Sequence, residues 1–274
     1  MFKSLLENVK LNPPLVHNIT NYVTVNDCAN IVLASGGAPL MADDINEVED
    51  IVSISNALNI NIGTLNKRTV ESMVKAGKKA NELGIPVILD PVGVGASKLR
   101  NEAINILIDE IDFSVIKGNM SEIKALYTKT KNTGGVDVQE EDVIDNQNIE
   151  EAIEFVKKVA KRFSCVIAVT GAIDIVTDGE KVRLIRNGHE MMSRITGTGC
   201  MTGSVIATYC GSNKNDVLSA TVMAITVMGL AGEKAYEKTV AKGEGTGSFR
   251  TYLMDSVSLM DYETLKEGAK VEIR

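Results

Sequence analysis

The sequence predicts an α/β fold, with a mostly parallel central sheet covered by helices on both faces. Three observations carry this. Strand-like and helix-like stretches alternate over much of the chain, the order that builds parallel sheets through helical crossovers. The run Pro86-Val87-Ile88-Leu89-Asp90-Pro91-Val92 is apolar almost without interruption, as strands buried on both faces are. A length of 274 residues, 44% hydrophobic and 24% charged, suffices for one large core. No repeat and no linker-like stretch divides the chain, so residues 1–274 read as a single domain.

The elements follow in order. Leu15 to Asn26 is a polar-rich entry. A helix spans about Val25 to Ala34 and stops at Gly36-Gly37, and Ala38 to Asp43 is a short strand and loop. Ile45 to Ile54 is helical, and Asn59 to Leu65 alternates until it breaks at Gly63. Lys67 to Leu83 places Val70, Met73, Val74 and Ala80 at helical spacing. Beyond the strand at Pro86 come helix Leu99–Ile108, strand Phe113–Asn119, and a helix around Glu122 to Tyr127 capped by Ser121. Thr128 to Asn148 is polar, acidic and without period, a long surface excursion. Helix Ile149–Arg162 leads to strand Cys165–Gly171, then to a hairpin between Asp174 and Ile185 turning at Asp178-Gly179. From Gly199 on the chain is helical. Val217 to Leu230 is apolar nearly all round and reads as a buried core helix, too short and too interrupted by Ser219, Thr221 and Thr226 to span a membrane.

Composition excludes several classes. A net charge of −7 disfavours nucleic acid and anionic membrane surfaces. With no Trp and 4% aromatics there is no platform for stacking bases. Cys28, Cys165, Cys200 and Cys210 form no C-x-x-C pair and the chain has two histidines, so a structural zinc site is excluded. The cysteines read as free thiols of a reducing cytoplasm, and Met1 to Lys10 lacks the apolar stretch of a secretion leader.

Ligands of doubly wound sheets bind beyond the carboxyl ends of the strands. Four such ends carry polar or flexible residues: Gly63-Thr64, Asp90-Pro91, Lys117-Gly118-Asn119 and Thr170-Gly171. Beside them falls Gly197-Thr198-Gly199-Cys200, a glycine turn opening a helix. The free amides and the dipole of such a terminus attract an anion, most often phosphate. Asp90 closes an apolar strand, where an unpaired carboxylate is costly. It is a candidate cation ligand, and Glu122, one turn beyond Asn119, can serve the same ion. The plainer reading of Glu122 is an acid favoured by the helix dipole. His17 and His189 stand alone in the sequence; His17, beside Asn18 and Asn21, reads as a structural histidine, with lining a polar pocket as the alternative. There is no G-x-x-x-x-G-K-[ST], and Gly197-x-Gly199-x-x-x-Gly203 has the wrong spacing and position for a dinucleotide fold.

Taken together, His17-Asn18-Ile19-Thr20-Asn21, Ala38-Pro39-Leu40-Met41, Ile62-Gly63-Thr64-Leu65, Leu89-Asp90-Pro91-Val92-Gly93, Lys117-Gly118-Asn119-x-x-Glu122, Val169-Thr170-Gly171 and Thr196-Gly197-Thr198-Gly199-Cys200 closely resemble the hydroxyethylthiazole kinase family over about residues 5 to 265. The resemblance implies a ribokinase-like three-layer fold. It implies ATP- and Mg²⁺-dependent phosphorylation of the hydroxyl of 4-methyl-5-(2-hydroxyethyl)thiazole, in thiamine salvage, by a cytoplasmic homotrimer with active sites between subunits. By position, Met41 and Gly197 would contact the thiazole, and Lys117, Thr170 and Asn119 would contact ATP. Gly197, Thr198, Gly199 and Cys200 would cradle the γ-phosphate, and Asp90 and Glu122 would hold Mg²⁺. Cys200 stands where most ribokinase-like enzymes carry an Asp base, and a helix N-terminus favours a thiolate there. It reads either as a base or as a small residue that fits. Two departures stand out: Lys117 replaces a frequent Arg, keeping the charge but losing the fork, and Gly135-Val136-Asp137-Val138 differs from the common pattern. Alternatives are a kinase for hydroxymethylpyrimidine or another small alcohol, a non-catalytic ligand sensor that kept the fold, and a dehydrogenase.

Overall fold

The computed structural model describes residues 2–128 and 143–274. The excursion expected at Thr128 to Asn148 and the departure at Gly135 to Val138 fall largely or wholly outside them.

One mixed sheet organises the described residues. Its strands are β1 Leu15–Ile19, β2 Ala38–Leu40, β3 Ala57–Asn61, β4 Val87–Asp90, β5 Val115–Gly118, β6 Val166–Val169, β7 Asp174–Thr177, β8 Val182–Ile185 and β9 Val271–Ile273, in the order β2-β1-β3-β4-β5-β6-β7-β8-β9. Pairing is parallel from β2 to β6 and antiparallel from β6 to β9. The helices are α1 Phe2–Leu11, α2 Val25–Ala34, α3 Val48–Ser53, α4 Lys67–Glu82, α5 Lys98–Glu110, α6 Met120–Thr128, α7 Ile149–Phe163, α8 Thr198–Ser212, α9 Val217–Ala241, α10 Thr246–Ser258 and α11 Tyr262–Gly268.

Strand alternation splits the core into two layers. Leu58, Ile60, Leu89, Ile116 and Ile167 face α4 to α7, together with Met73, Leu107, Ile123 and Val156. Ala57, Ile88, Val115, Val166 and Ala168 face the other way, against Met201, Val205, Ile206, Val222 and Met223 of α8 and α9. These are the three layers expected. Helix α9 is as buried as its composition predicts, so its length and hydropathy belong to a core helix.

Several elements differ from expectation. Leu15–Ile19, read as a polar entry, is an interior strand next to edge strand β2: Asn18 lies in the buried layer and pairs with Asn59 of β3, so its polarity does not mark a loop. Phe2–Leu11 is a helix because Leu5, Leu6 and Val9 fall on one buried stripe. The C-terminus is not helical throughout, since Val271–Ile273 adds a last strand beside β8. The cap of α6 is Asn119, not Ser121. The Asn119 side chain accepts from the Glu122 amide at 2.8 Å, and the Glu122 carboxylate accepts from the Asn119 amide at 2.9 Å. This is a capping box.

The chain leaves β1 for β2 on one side and later starts β3 on the other. This reversal opens a crevice at the carboxyl ends of β1 and β3. At the far end, α9 presses on the segment after β8: a Cβ on Gly229 would lie 2.8 Å from the backbone of Asn187. Asn187 in turn bonds Glu233, the carbonyl of Gly268 and the amide of Lys270. Gly229→Ala is therefore expected to lose about 1–3 kcal/mol through overpacking. Urea unfolding measures this, and an unchanged midpoint would contradict the packing.

Candidate active site

The same alternation that builds the core delivers the polar side chains. Counting by twos from Val16, Ala57, Ile88, Val115 and Ala168 reaches Asn18, Asn59, Asn61, Asp90, Lys117 and Thr170. These residues end the strands on the α8 side. Except for Thr170 all are buried, so each needs a partner. Asn61 Nδ2 donates to Asp90 Oδ2 at 2.9 Å, and Lys117 Nζ faces Asp90 Oδ1 at 3.4 Å. Lys117 Nζ also donates to the Gly199 carbonyl at 3.1 Å. Asn21 Nδ2 reaches Asn61 Oδ1 at 3.0 Å and Cys200 Sγ at 3.3 Å. Asn59 Nδ2 donates to Asn18 Oδ1 at 3.0 Å and Ser204 Oγ at 3.2 Å.

Helix α8 supplies the opposite wall. Gly197, its N-cap, has φ +92°, and a Cβ there would meet Thr24 Cγ2 at 2.8 Å. Both the left-handed backbone and the contact require glycine. The amides of Thr198, Gly199 and Cys200 form the first turn and have no intrahelical acceptor. Gly203 lets the helix approach the polar layer, since a Cβ would sit 3.3 Å from Asn59 Oδ1.

Burial is the main cause of the charge states. It pushes the Asp90 carboxyl up to about 6, against the pull of Lys117 and with the push of Glu122. Burial opposes the Lys117 charge, but Asp90 and Glu122 outweigh it and hold the ammonium above the usual lysine range. The Cys200 thiol is also pushed up, first by burial and then by Asp90, with Lys117 opposing. A helix terminus alone favours a thiolate, whereas burial and Asp90 here favour the neutral thiol.

The sequence candidates are gathered unequally. Asp90, Lys117, Gly199 and Cys200 lie in one hydrogen-bonded group, with Gly197 and Thr198 at its edge. Asn119 and Glu122 sit at the start of α6, and Glu122 Oε1 accepts from the Gly93 amide at 3.0 Å. Thr170 lines a cavity of about 590 Å³ with Asp174, His189, Thr198 and Gly199. Met41 follows the edge strand β2 and is half-buried, with no described contact to Cys200. His17 is buried; its Nε2 bonds the Ala42 carbonyl at 2.8 Å, while its buried Nδ1 has no hydrogen-bond partner among the described residues.

The model of the hydroxyethylthiazole kinase family matches residues 6–263. The chain belongs to the hydroxyethylthiazole kinase family. Among its relatives, the hydroxyethylthiazole kinase of Clostridium tetani is 54% identical over 271 residues, covering 99% of this chain and 97% of the relative. The structure of a hydroxyethylthiazole kinase from Pyrococcus horikoshii matches with TM-score 0.88 and 38% identity, over 100% of this chain and 98% of that one. A ribokinase-like superfamily protein from Enterococcus faecalis, TM-score 0.59 at 10% identity over 92% of this chain and 89% of that one, shares the fold.

Several site residues of this hydroxyethylthiazole kinase family member escape sequence reading. Asn21 and Asn61 are site residues of this kind; Asn59 and Asn61 at alternate positions of β3 are a legible signal, whereas Asn21 lies in the loop after β1. Arg100 and Asp174 gave none, because their roles depend on loops brought together in space. His189 does line the cavity; its Nδ1 accepts from the Met191 amide at 3.1 Å, and its ring stacks on Tyr236 with centroids 3.5 Å apart.

Asp174 also gives a pH test. Its Oδ1 accepts from the Gly171 amide at 2.9 Å, and burial pushes its carboxyl up to about 7. The folded protein then holds a proton that the unfolded chain releases between the ordinary carboxylate range and pH of about 7. Stability from this group falls as pH rises through that window. Asp174→Asn keeps an acceptor without the charge, so its melting temperature is expected to gain on the parent by several degrees from about pH 5 to about pH 8. A pH-independent difference would refute the buried titration.

Proposed function

We infer that the protein transfers the γ-phosphoryl group of ATP to the hydroxyl of 4-methyl-5-(2-hydroxyethyl)thiazole, as a cytoplasmic enzyme of thiamine synthesis and salvage. The observation that carries this is the meeting of Lys117, Asp90 and Cys200 with the free amides of α8 at the strand ends. The one continuous sheet supports reading the whole chain as a single kinase domain.

The 590 Å³ cavity is of nucleotide size, and its lining has no Lys or Arg, which suits the nucleoside rather than the phosphates. Thr198 and Gly199 line it, so phosphates at that wall would meet the α8 amides, with Lys117 beyond them. There the amides and the ammonium stabilise charge on the transferring group, which matters most in a loose transition state. Gly197 lies where the family's thiazole contact falls, which puts the acceptor hydroxyl beside Cys200. Held neutral by burial, the thiol positions that hydroxyl rather than deprotonating it. Asn119 is engaged as a helix cap, so its part in ATP binding is to hold Glu122 in place.

The donor set fits a magnesium ion held mainly through water. Asp90 already accepts from Asn61 and Lys117, and Glu122 accepts from the amides of Gly93 and Asn119. Magnesium ordinarily takes one or two carboxylates and completes its octahedron with phosphates and water. Asp90 and Glu122 would hold the ion, and when bound it neutralises phosphate charge. For assembly, Tyr22 and Val23, exposed beside Asn21, support a covering subunit and hence the homotrimer. Light scattering at the trimer mass is the expected result.

The direct test is ADP release with hydroxyethylthiazole, ATP and Mg²⁺, against hydroxymethylpyrimidine as the competing alcohol. Turnover of the pyrimidine alone would reassign the substrate. Lys117→Gln is expected to lose at least about 100-fold in kcat, as loss of one transition-state donor does. Cys200→Ala should lose less than about tenfold; a loss of about 10²–10⁴, the range of a general base, would restore the base role.

A further inference from the structure

Arg100 lies in the first turn of α5, and its guanidinium contacts three carbonyls and no carboxylate among the described residues. Nη1 donates to Ile62 O at 2.5 Å and Val92 O at 2.7 Å, and Nη2 donates to Gly63 O at 2.6 Å. Ile62 and Gly63 follow β3, and Val92 follows β4. One rigid fork therefore ties two strand-end loops together.

The peptide units that accept these bonds also donate. The Val92–Gly93 peptide takes Arg100 on its carbonyl and gives its N–H to Glu122 Oε1 at 3.0 Å. The Ile62–Gly63 peptide takes Arg100 on its carbonyl and gives its N–H to Asn61 Oδ1 at 2.9 Å. Asn61 in turn donates to Asp90 Oδ2 at 2.9 Å. The guanidinium thus polarises two short chains of hydrogen bonds, each ending on an acid at the site. A second direct ion pair would cap the carboxylate oxygens further; acting through a peptide orients them without adding a cation beside Lys117. Gly93 is shaped for this, with φ +73° and a Cβ position only 3.3 Å from the guanidinium carbon.

We propose that Arg100 is the positioning residue for both metal-side carboxylates, acting on Glu122 through the 92–93 peptide and on Asp90 through the 62–63 peptide and Asn61. This rests on the reading of Asp90 and Glu122 as the magnesium side. Partners that orient ligands from behind typically cost 10–100-fold in metal affinity when removed. Arg100→Met and Arg100→Lys should each raise the Mg²⁺ concentration for half-maximal activity about tenfold or more, with the KM for thiazole within about twofold. Lysine should not rescue, because one ammonium cannot bridge both loops.

Two readouts do not depend on turnover. In protein free of nucleotide and metal, hydrogen exchange at the Gly63 and Gly93 amides should quicken in both variants while α9 stays protected. Calorimetric binding of a non-hydrolysable ATP analogue with Mg²⁺ should weaken in parallel. A double-mutant cycle of Arg100→Lys with Glu122→Gln should be non-additive. Unchanged exchange at Gly63 and Gly93, full rescue by lysine, or an additive cycle would each overturn the proposal. If α9 protection is lost in Arg100→Met, the lysine variant and the cycle decide alone. A parent enzyme without Mg²⁺-dependent turnover would instead overturn the functional reading.

Discussion

The ion pair between Lys117 and Asp90 is the constraint on which the rest of the site depends. Both side chains are buried, Asp90 completely. Two charges removed from water are tolerable only when each is also hydrogen-bonded. Asp90 therefore recruits Asn61, and Lys117 recruits the Gly199 carbonyl. The first contact draws in β3 and, through Asn21, the loop after β1. The second fixes the height of α8 over the sheet. Glycines at 199 and 203 suit this close approach, because a Cβ at either would crowd Lys117 Nζ or Asn59 Oδ1 at 3.1 and 3.3 Å. A polar layer of this kind is costly inside an α/β core. Its position at the strand ends is where ligands of doubly wound sheets bind.

The division of labour between the two sheet faces has the same origin. The α4–α7 side is mostly apolar in its strand contacts, His17 and Thr177 apart, and supplies stability. The α8–α9 side becomes polar toward the carboxyl ends and supplies function. The antiparallel extension β7 to β9 lengthens the sheet beyond β6 and carries Asp174 into the cavity wall. The hairpin is therefore part of the site, since the Asp174 bond to the Gly171 amide sets the turn that presents Thr170.

Much of this was legible in the sequence. The alternation of elements, the buried α9 and the strand ends at Asp90, Lys117 and Thr170 follow from local pattern. What the sequence hid was of three kinds. β1 was hidden because Asn18 and Asn21 look like loop residues until another polar strand lies beside them. The neutral state of Cys200 was hidden because the helix dipole can be read from sequence and desolvation cannot. Arg100 was hidden because its partners are backbone carbonyls, which every residue has, and only tertiary structure selects three of them. Met41 shows the converse: the family resemblance points to it, while the geometry of one chain leaves it apart from Cys200.

The bond from Lys117 to the Gly199 carbonyl has a thermodynamic consequence. The ammonium is shared between a carboxylate on the sheet and the backbone of the helix proposed to receive phosphate. An incoming polyphosphate competes for it, and any shift of the ammonium toward phosphate uncovers Asp90 Oδ1. The uncovered oxygen then binds a cation more strongly. By linkage, a cation at Asp90 must favour the anion to the same degree. The nucleotide and its counter-ion are then expected to load as a cooperative unit, with neither saturating the site well alone.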